Sequence, residues 1–267
     1  LNSYNILKAQ VICNLSFLIK TKLMSTNKKS FFGVMKSYNK NFWVASGMEL
    51  FERWAWYGLF AVLALYLTGS TDEGGLGFTH IEKGQIMGYV TGILYLLPMI
   101  TGVIADKIGY KRSLIIAYVL LMTGYYFMGE VSSYSSVFLV FLWVAVGAAM
   151  FKPVASAIIT KNTDESNSTL GFGIFYMMVN IGGFVGPAMS STLRTQYGWK
   201  IIFLQAAIVI GINLIILLLF YKEKDRVKSS DTMGEAIIGS LKNMWEAVKD
   251  TRLSVLLVIM VGFWTMF

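Results

Sequence analysis

Glu49, Glu52 and Arg53 lie in the segment Gly47-Met-Glu-Leu-Phe-Glu-Arg-Trp-Ala-Trp-Tyr-Gly58, inside residues 42–68, a run otherwise apolar and long enough to cross a bilayer. Facing lipid, each charge would cost about 2.5–3.5 kcal/mol. A span that retains them turns them toward a protein interior or a water-filled path. At about 100° per residue, Glu49, Glu52, Arg53, Trp56, Tyr57 and Phe60 share one face, while Leu50, Ala61 and Val62 lie elsewhere. Glu49 and Arg53, four apart, suit an intrahelical ion pair, which leaves Glu52 without a partner. An unpaired carboxylate in an apolar interior is poised to take up and release protons.

The compensating charge is Lys152, in Gly147-Ala-Ala-Met-Phe-Lys-Pro153, a basic residue deep in another apolar run. Two Glu, one Arg and one Lys sum to zero, so a closed neutral cluster is possible. Pro153 removes one backbone hydrogen bond and can kink the helix beside the lysine. The bland alternative is a lysine that snorkels to the interface. Asn180, in Phe172-Gly-Ile-Phe-Tyr-Met-Met-Val-Asn-Ile-Gly-Gly-Phe184, is an amide in an apolar helix and needs a partner, either another helix or a solute. Gly182, Gly183 and Gly186 smooth one side of that helix for packing, and Asn213 reads as a packing contact. In Gly102-Val-Ile-Ala-Asp-Lys-Ile-Gly-Tyr-Lys-Arg112, Gly102 permits close helix approach and Gly109 a tight turn. Asp106 there can meet a cation or a helix N-terminus.

These residues must be held by a membrane bundle. The 267 residues are 55% hydrophobic and only 14% charged, against about a quarter charged in a soluble domain. Apolar spans fall near 42–68, 83–105, 112–130, 134–160, 169–193 and 200–221, and a seventh begins at 252 and is cut short at Phe267. The expected organisation is an N-terminal cytoplasmic segment over 1–41, a six-span bundle over 42–221, a linker over 222–251 and the truncated seventh span. In the linker, Ile237, Ile238, Leu241, Met244, Trp245 and Val248 recur at helical spacing, which suits a helix lying along the membrane surface. Met24, followed by Ser-Thr-Asn-Lys-Lys, is a plausible soluble start, so residues 1–23 read as an over-extended start without function.

Lys and Arg alternate by side. Fifteen (Lys28, Lys29, Lys36, Lys40, Lys107, Lys111, Arg112, Lys161, Lys222, Lys224, Arg226, Lys228, Lys242, Lys249 and Arg252) fall on the side of the N-terminus. Three (Lys83, Arg194 and Lys200) fall opposite. The N-terminus is therefore expected inside, in the plasma (inner) membrane. The net charge of +8 follows from this asymmetry and does not point to nucleic acid. One cysteine, Cys13, leaves no disulfide framework or thiol metal site, and His80 falls in a predicted loop. No metal-ligand cluster, nucleophile–histidine pair or phosphate loop points to an enzyme.

The 102–112 segment resembles the loop signature of the major facilitator superfamily. The Glu49-x-x-Glu52-Arg53-Trp54-x-Trp56-Tyr57-Gly58 motif resembles that of the proton-dependent oligopeptide transporters. Lys152-Pro153 and the Phe172–Gly182 pattern match the same family, so the resemblance covers residues 40–221. It implies the six-helix N-terminal half of an all-α carrier, built as two inverted three-helix repeats. It further implies proton-coupled symport of di- or tripeptides by alternating access, driven by the proton gradient without a cofactor. Glu49, Glu52, Arg53 and Lys152 would couple protons, and Trp56, Tyr57, Tyr95, Lys152 and Asn180 would contact solute. Gly102, Asp106, Gly109, Lys111 and Arg112 would form a gating loop. The partners implied are a small peptide, protons, the bilayer and the missing C-terminal half, whose seventh span completes the site, so the fragment alone is not expected to transport. Phe60 stands where the family commonly has a second arginine, Val154 replaces an asparagine, and the loop is one residue shorter than is usual for peptide carriers. A carrier of a nucleoside, amino-acid conjugate or drug thus stays open, as does a non-transporting scaffold or sensor.

Overall fold

The structure is a computed structural model that describes residues 31–223 and 233–266. The readings made for residues 1–23, for Met24 as a start and for the basic residues at 28, 29, 224, 226 and 228 lie outside the described residues. The described residues form ten α-helices and no strand. The chain divides into two units, Leu1–Asn39 and Lys40–Phe267. The first contains α1 (Phe31–Met35).

The second unit holds α2 (Lys40–Thr68), α3 (His80–Leu96), α4 (Pro98–Ile108), α5 (Tyr110–Met128), α6 (Tyr134–Lys161) and α7 (Ser168–Tyr197). It continues through α8 (Lys200–Phe220), α9 (Met233–Lys249) and α10 (Thr251–Met266). Local signals set these bounds. Thr79 and Glu82 start α3 with a capping box, in which the Glu82 carboxylate accepts from the Thr79 amide at 2.8 Å. Gly109, at φ +95°, turns the chain between α4 and α5.

Helices α6, α7 and α8 are each long and apolar enough to cross a membrane. The span expected as one piece over 83–105 is instead the pair α3 and α4, bent by 45°. Pro98 is the cause: it has no N–H for the Leu94 carbonyl, and its ring crowds that carbonyl. Pro153 acts differently, because α6 continues through it. The carbonyl it leaves without a partner, that of Ala149, accepts from the Thr101 hydroxyl of α4 at 2.7 Å. The lost backbone bond thus becomes a link between helices beside Lys152.

The most extensively packed pairs are α2 with α7 and α8, α6 with α3, α4 and α5, and α5 with α8. Exchanging the first three spans (α2, α3–α4, α5) for the second three (α6, α7, α8) leaves this set of pairs unchanged, as two related three-helix repeats require. The α2–α7 seam is the tightest. A side chain at Gly182 would run into the Leu50 carbonyl and the Trp54 amide, and one at Gly186 into the Trp54 carbonyl and Gly58. Such a small-residue ridge lets two backbones touch where lipid offers no hydrophobic drive for association.

One end of the bundle is fastened at residues 222–223. Asn41 of α2 donates to the Lys222 carbonyl at 2.8 Å, and the Glu223 carboxylate accepts from the Tyr110 amide at the start of α5 at 2.5 Å. Helix α9 packs against α4.

Candidate functional site

Helix α2 carries Glu49, Glu52 and Arg53 into the core, where all three are buried. The Arg53 guanidinium donates to both Glu52 oxygens, from Nε at 2.5 Å and from the terminal nitrogen at 2.8 Å. Its Nε also lies 3.6 Å from Glu49 Oε1. The ion pair expected from the four-residue spacing is present, whereas the expectation that it leaves Glu52 without a partner is corrected. Glu52 is the held carboxylate, and Glu49 keeps a buried oxygen, Oε2, with no hydrogen bond. The reason is geometric: the planar fork of arginine takes a carboxylate with two parallel bonds, which Glu52 provides and Glu49, off to one side, does not.

Arg53 is pinned from behind. Its Cβ lies where a Gly182 side chain would stand, so the α2–α7 seam fixes the stem. The Tyr57 ring stacks on the guanidinium at 5.6 Å. A buried pair of carboxylates sharing one arginine is stable only while its charges balance.

Lys152 does not close the cluster. It is exposed on α6 and makes no ion pair with either glutamate, although its charge acts on Glu49. The neutral four-residue cluster is thus open, with three members enclosed and the lysine standing at the surface of this half.

The expected solute-contacting residues are dispersed. Trp56 is buried and stacks on Phe60 at 5.5 Å, so it packs rather than lines an open surface. Tyr57 is partly exposed above Arg53, whereas Tyr95 stands 73% exposed on α3. Asn180 is exposed on α7 in an open groove of about 480 Å³ with Gly173, Tyr176, Met177, Ile181 and Phe184. None of Trp56, Tyr57 or Tyr95 lines that groove.

The 102–112 segment is brought together at one end of the bundle. Gly109 adopts the left-handed φ, and a side chain there would meet the Glu223 carboxylate at 3.1 Å. Lys111 donates to the Tyr221 carbonyl at 3.1 Å, at the C-terminal end of α8, where cations are favoured. Asp106 accepts from the hydroxyl of Tyr110, the first residue of α5, at 3.0 Å, and among the described residues it makes no ion pair, so the expected cation is corrected. Gly102 is corrected too: a Cβ there would sit 3.7 Å from Pro153, an ordinary contact that needs no glycine. Arg112 is exposed.

Sequence reasoning missed two groups at the cluster. Tyr118 and Tyr125 of α5 are fully buried with unpartnered hydroxyls, and the charges of Glu52 and its neighbours act on both. Asn213 of α8 donates to the Met48 carbonyl at 2.8 Å, the packing contact expected of it, yet its own oxygen is buried and unpartnered. Seven-residue spacing places both tyrosines on one face of α5, a signal present in the sequence but shared with ordinary core aromatics.

Known proteins are similar to this chain in sequence and in fold. Dipeptide and tripeptide permease B of Aliivibrio fischeri (strain MJ11) is 29% identical over 199 residues, covering 73% of this chain and 38% of the relative. The transporter YclF of Bacillus subtilis (strain 168) is 29% identical over 206 residues, covering 75% and 41%. Among solved structures, a POT family transporter in complex with 5-aminolevulinic acid matches with a TM-score of 0.69 and 24% identity, over 90% of this chain and 49% of that one. The chain thus spans about half the length, or less, of the proteins it matches. Residues 45–267 match the Major Facilitator Superfamily, and this multi-pass membrane chain belongs to it.

Proposed function

We propose that this chain supplies the N-terminal bundle of a proton-coupled symporter of di- and tripeptides or similar small solutes, and that it is not an enzyme. The observation that carries the reading is the enclosed Glu49–Glu52–Arg53 cluster with one unpartnered Glu49 oxygen. Glu49 exchanges the proton, and Glu52 holds Arg53 as the countercharge. Lys152, exposed on α6, attracts the anionic group of the solute and competes for Glu49, which links solute occupancy to protonation. The groove beside Asn180 offers an amide and aromatic faces to a peptide backbone. The proton gradient drives the cycle without a cofactor. The permease relatives and the solved neighbours named as peptide transporters support the substrate class. In this reading the basic end of the bundle, with the 102–112 turn, lies in the cytoplasm of a plasma-membrane carrier.

A second reading has one observation in its favour. Phe60 stacks on Trp56 and makes an apolar floor where the family resemblance implies an arginine. A solute whose carboxylate is held elsewhere, or absent, fits that floor. The test is uptake of labelled dialanine by the full-length protein in liposomes under an imposed inward proton gradient, with a panel of dipeptides as competitors. Gradient-driven uptake that dipeptides suppress is expected. Driven uptake of another solute that no dipeptide suppresses overturns the substrate class and leaves the coupling cluster in place.

A further inference from the structure

Three helices bring an unpartnered oxygen to one level of the bundle. The level can be counted from the fastening at residues 222–223, where Asn41 and the Tyr110 amide are tied to adjacent residues. Helices α2 and α5 both rise from that end. Glu49 lies eight residues beyond Asn41, and Tyr118 lies eight residues beyond Tyr110, so both stand about 12 Å up at 1.5 Å per residue. Helix α8 descends to the same end, and Asn213, eight residues before Tyr221, reaches the same height. The Asn213 bond to the Met48 carbonyl, one residue from Glu49, fixes this register directly.

At that level Glu49 Oε2, the Tyr118 hydroxyl and Asn213 Oδ1 are all buried and without a hydrogen bond. Three such groups at one level of a membrane interior, with the Glu49 charge acting on Tyr118, would be costly if left without partners. Their donors and acceptors are complementary to one molecule. Water can donate to the Asn213 and Glu49 oxygens and accept from the Tyr118 hydroxyl, and it needs two to four polar partners to stay. We propose that this layer is a buried water site, and that the water is the immediate proton donor and acceptor for Glu49. The role in proton exchange rests on the symporter reading given above. Tyr118 and Asn213 are then positioning residues. When Glu49 is ionised the water donates to it, and when Glu49 is protonated the carboxyl O–H donates to the water; in each transfer the water takes one proton as it gives another across its bond on the Ser46 side, and so stays neutral.

The charged groups acting on the layer are Glu52 and Arg53 from α2 and Lys152 from α6. Helix α5 adds the phenols of Tyr118 and Tyr125, α8 the neutral Asn213, and α7 a glycine seam. Ser46, one turn from Glu49 toward the fastened end, carries a further buried hydroxyl without a partner and gives the water its next neighbour on that side.

The test uses the full-length protein in liposomes. Infrared difference spectra between proton-loaded and proton-free states would be taken in ordinary water and in water labelled with oxygen-18, for the parent, Glu49→Gln and Tyr118→Phe. The parent should show an O–H stretch that shifts on labelling, and Tyr118→Phe, which keeps the ring, should lose it. In the same vesicles, Tyr118→Phe should shift the pH of half-maximal driven dialanine uptake by about one unit while leaving counterflow exchange within about two-fold. No label-sensitive band in a parent that takes up dialanine under the gradient overturns the water site and spares the symporter reading. A band without gradient-driven uptake overturns the symporter reading, and with it the role given to the water in proton exchange.

Discussion

Two polar regions of the bundle use a carboxylate in opposite ways. At the fastened end, Glu223 accepts from the Tyr110 amide, Lys111 donates to the Tyr221 carbonyl and Asn41 donates to Lys222, so these groups find protein partners at the surface. At the centre, the Arg53–Glu52 pair is complete, yet Glu49, Tyr118, Asn213, Tyr125 and Ser46 each keep a buried atom without one. Burial makes an unmet hydrogen bond more costly, so a region that tolerates several at its centre is built to receive something. The end is a fastening, and the centre is a receptacle.

The largest way to break this contrast is to disturb the seam that pins Arg53. In the full-length protein, Gly182→Leu drives a side chain into the Leu50 carbonyl, and size-exclusion chromatography in detergent should show no monodisperse protein. A well-folded Gly182→Leu would mean that the seam does not position the cluster. Next, Arg53→Met leaves Glu52 uncompensated in the core, at a cost of about 3–5 kcal/mol. Its melting temperature should fall on the order of 10 °C, and an unchanged value would show that Glu52 is not held by Arg53.

Changes at the fastened end should be milder. Glu223→Ala removes the acceptor at the start of α5 and should cost about 1 kcal/mol, with most of the loss restored in Glu223→Gln. Equal losses in both would assign the effect to charge rather than to the cap. Smallest is Thr101→Val, which leaves the Ala149 carbonyl unpartnered beside Pro153 and should cost about 0.6 kcal/mol in thermal unfolding. A loss as large as that of Arg53→Met would place the α4–α6 link on a par with the buried ion pair.

The glutamates and arginine were legible because charge in an apolar run has few innocent explanations. Which glutamate takes the two parallel bonds was not, because spacing gives reach along the helix but not the direction in which a guanidinium fork opens. Tyr118 and Tyr125 were invisible for a related reason: a phenol in an apolar helix differs from a core phenylalanine only by its hydroxyl, and partners come from other helices. Glu223 reads as one charge in a Lys-Glu-Lys-Asp-Arg run, and only the return of α8 to the α4–α5 turn makes it a cap. Pro98 carried its signal openly, yet summed hydropathy over 83–105 conceals a bend.

The most direct test of the division between a held and an exchanging carboxylate is a paired measurement on Glu49→Gln and Glu52→Gln in the full-length protein. Melting temperature, counterflow of dialanine and gradient-driven uptake would be read side by side. Glu49→Gln should keep its melting temperature and counterflow while losing gradient-driven uptake, and Glu52→Gln should lose thermal stability because Arg53 is left without its partner. Gradient-driven uptake that survives in Glu49→Gln, or stability that falls there and not in Glu52→Gln, would contradict the assignment of the two roles.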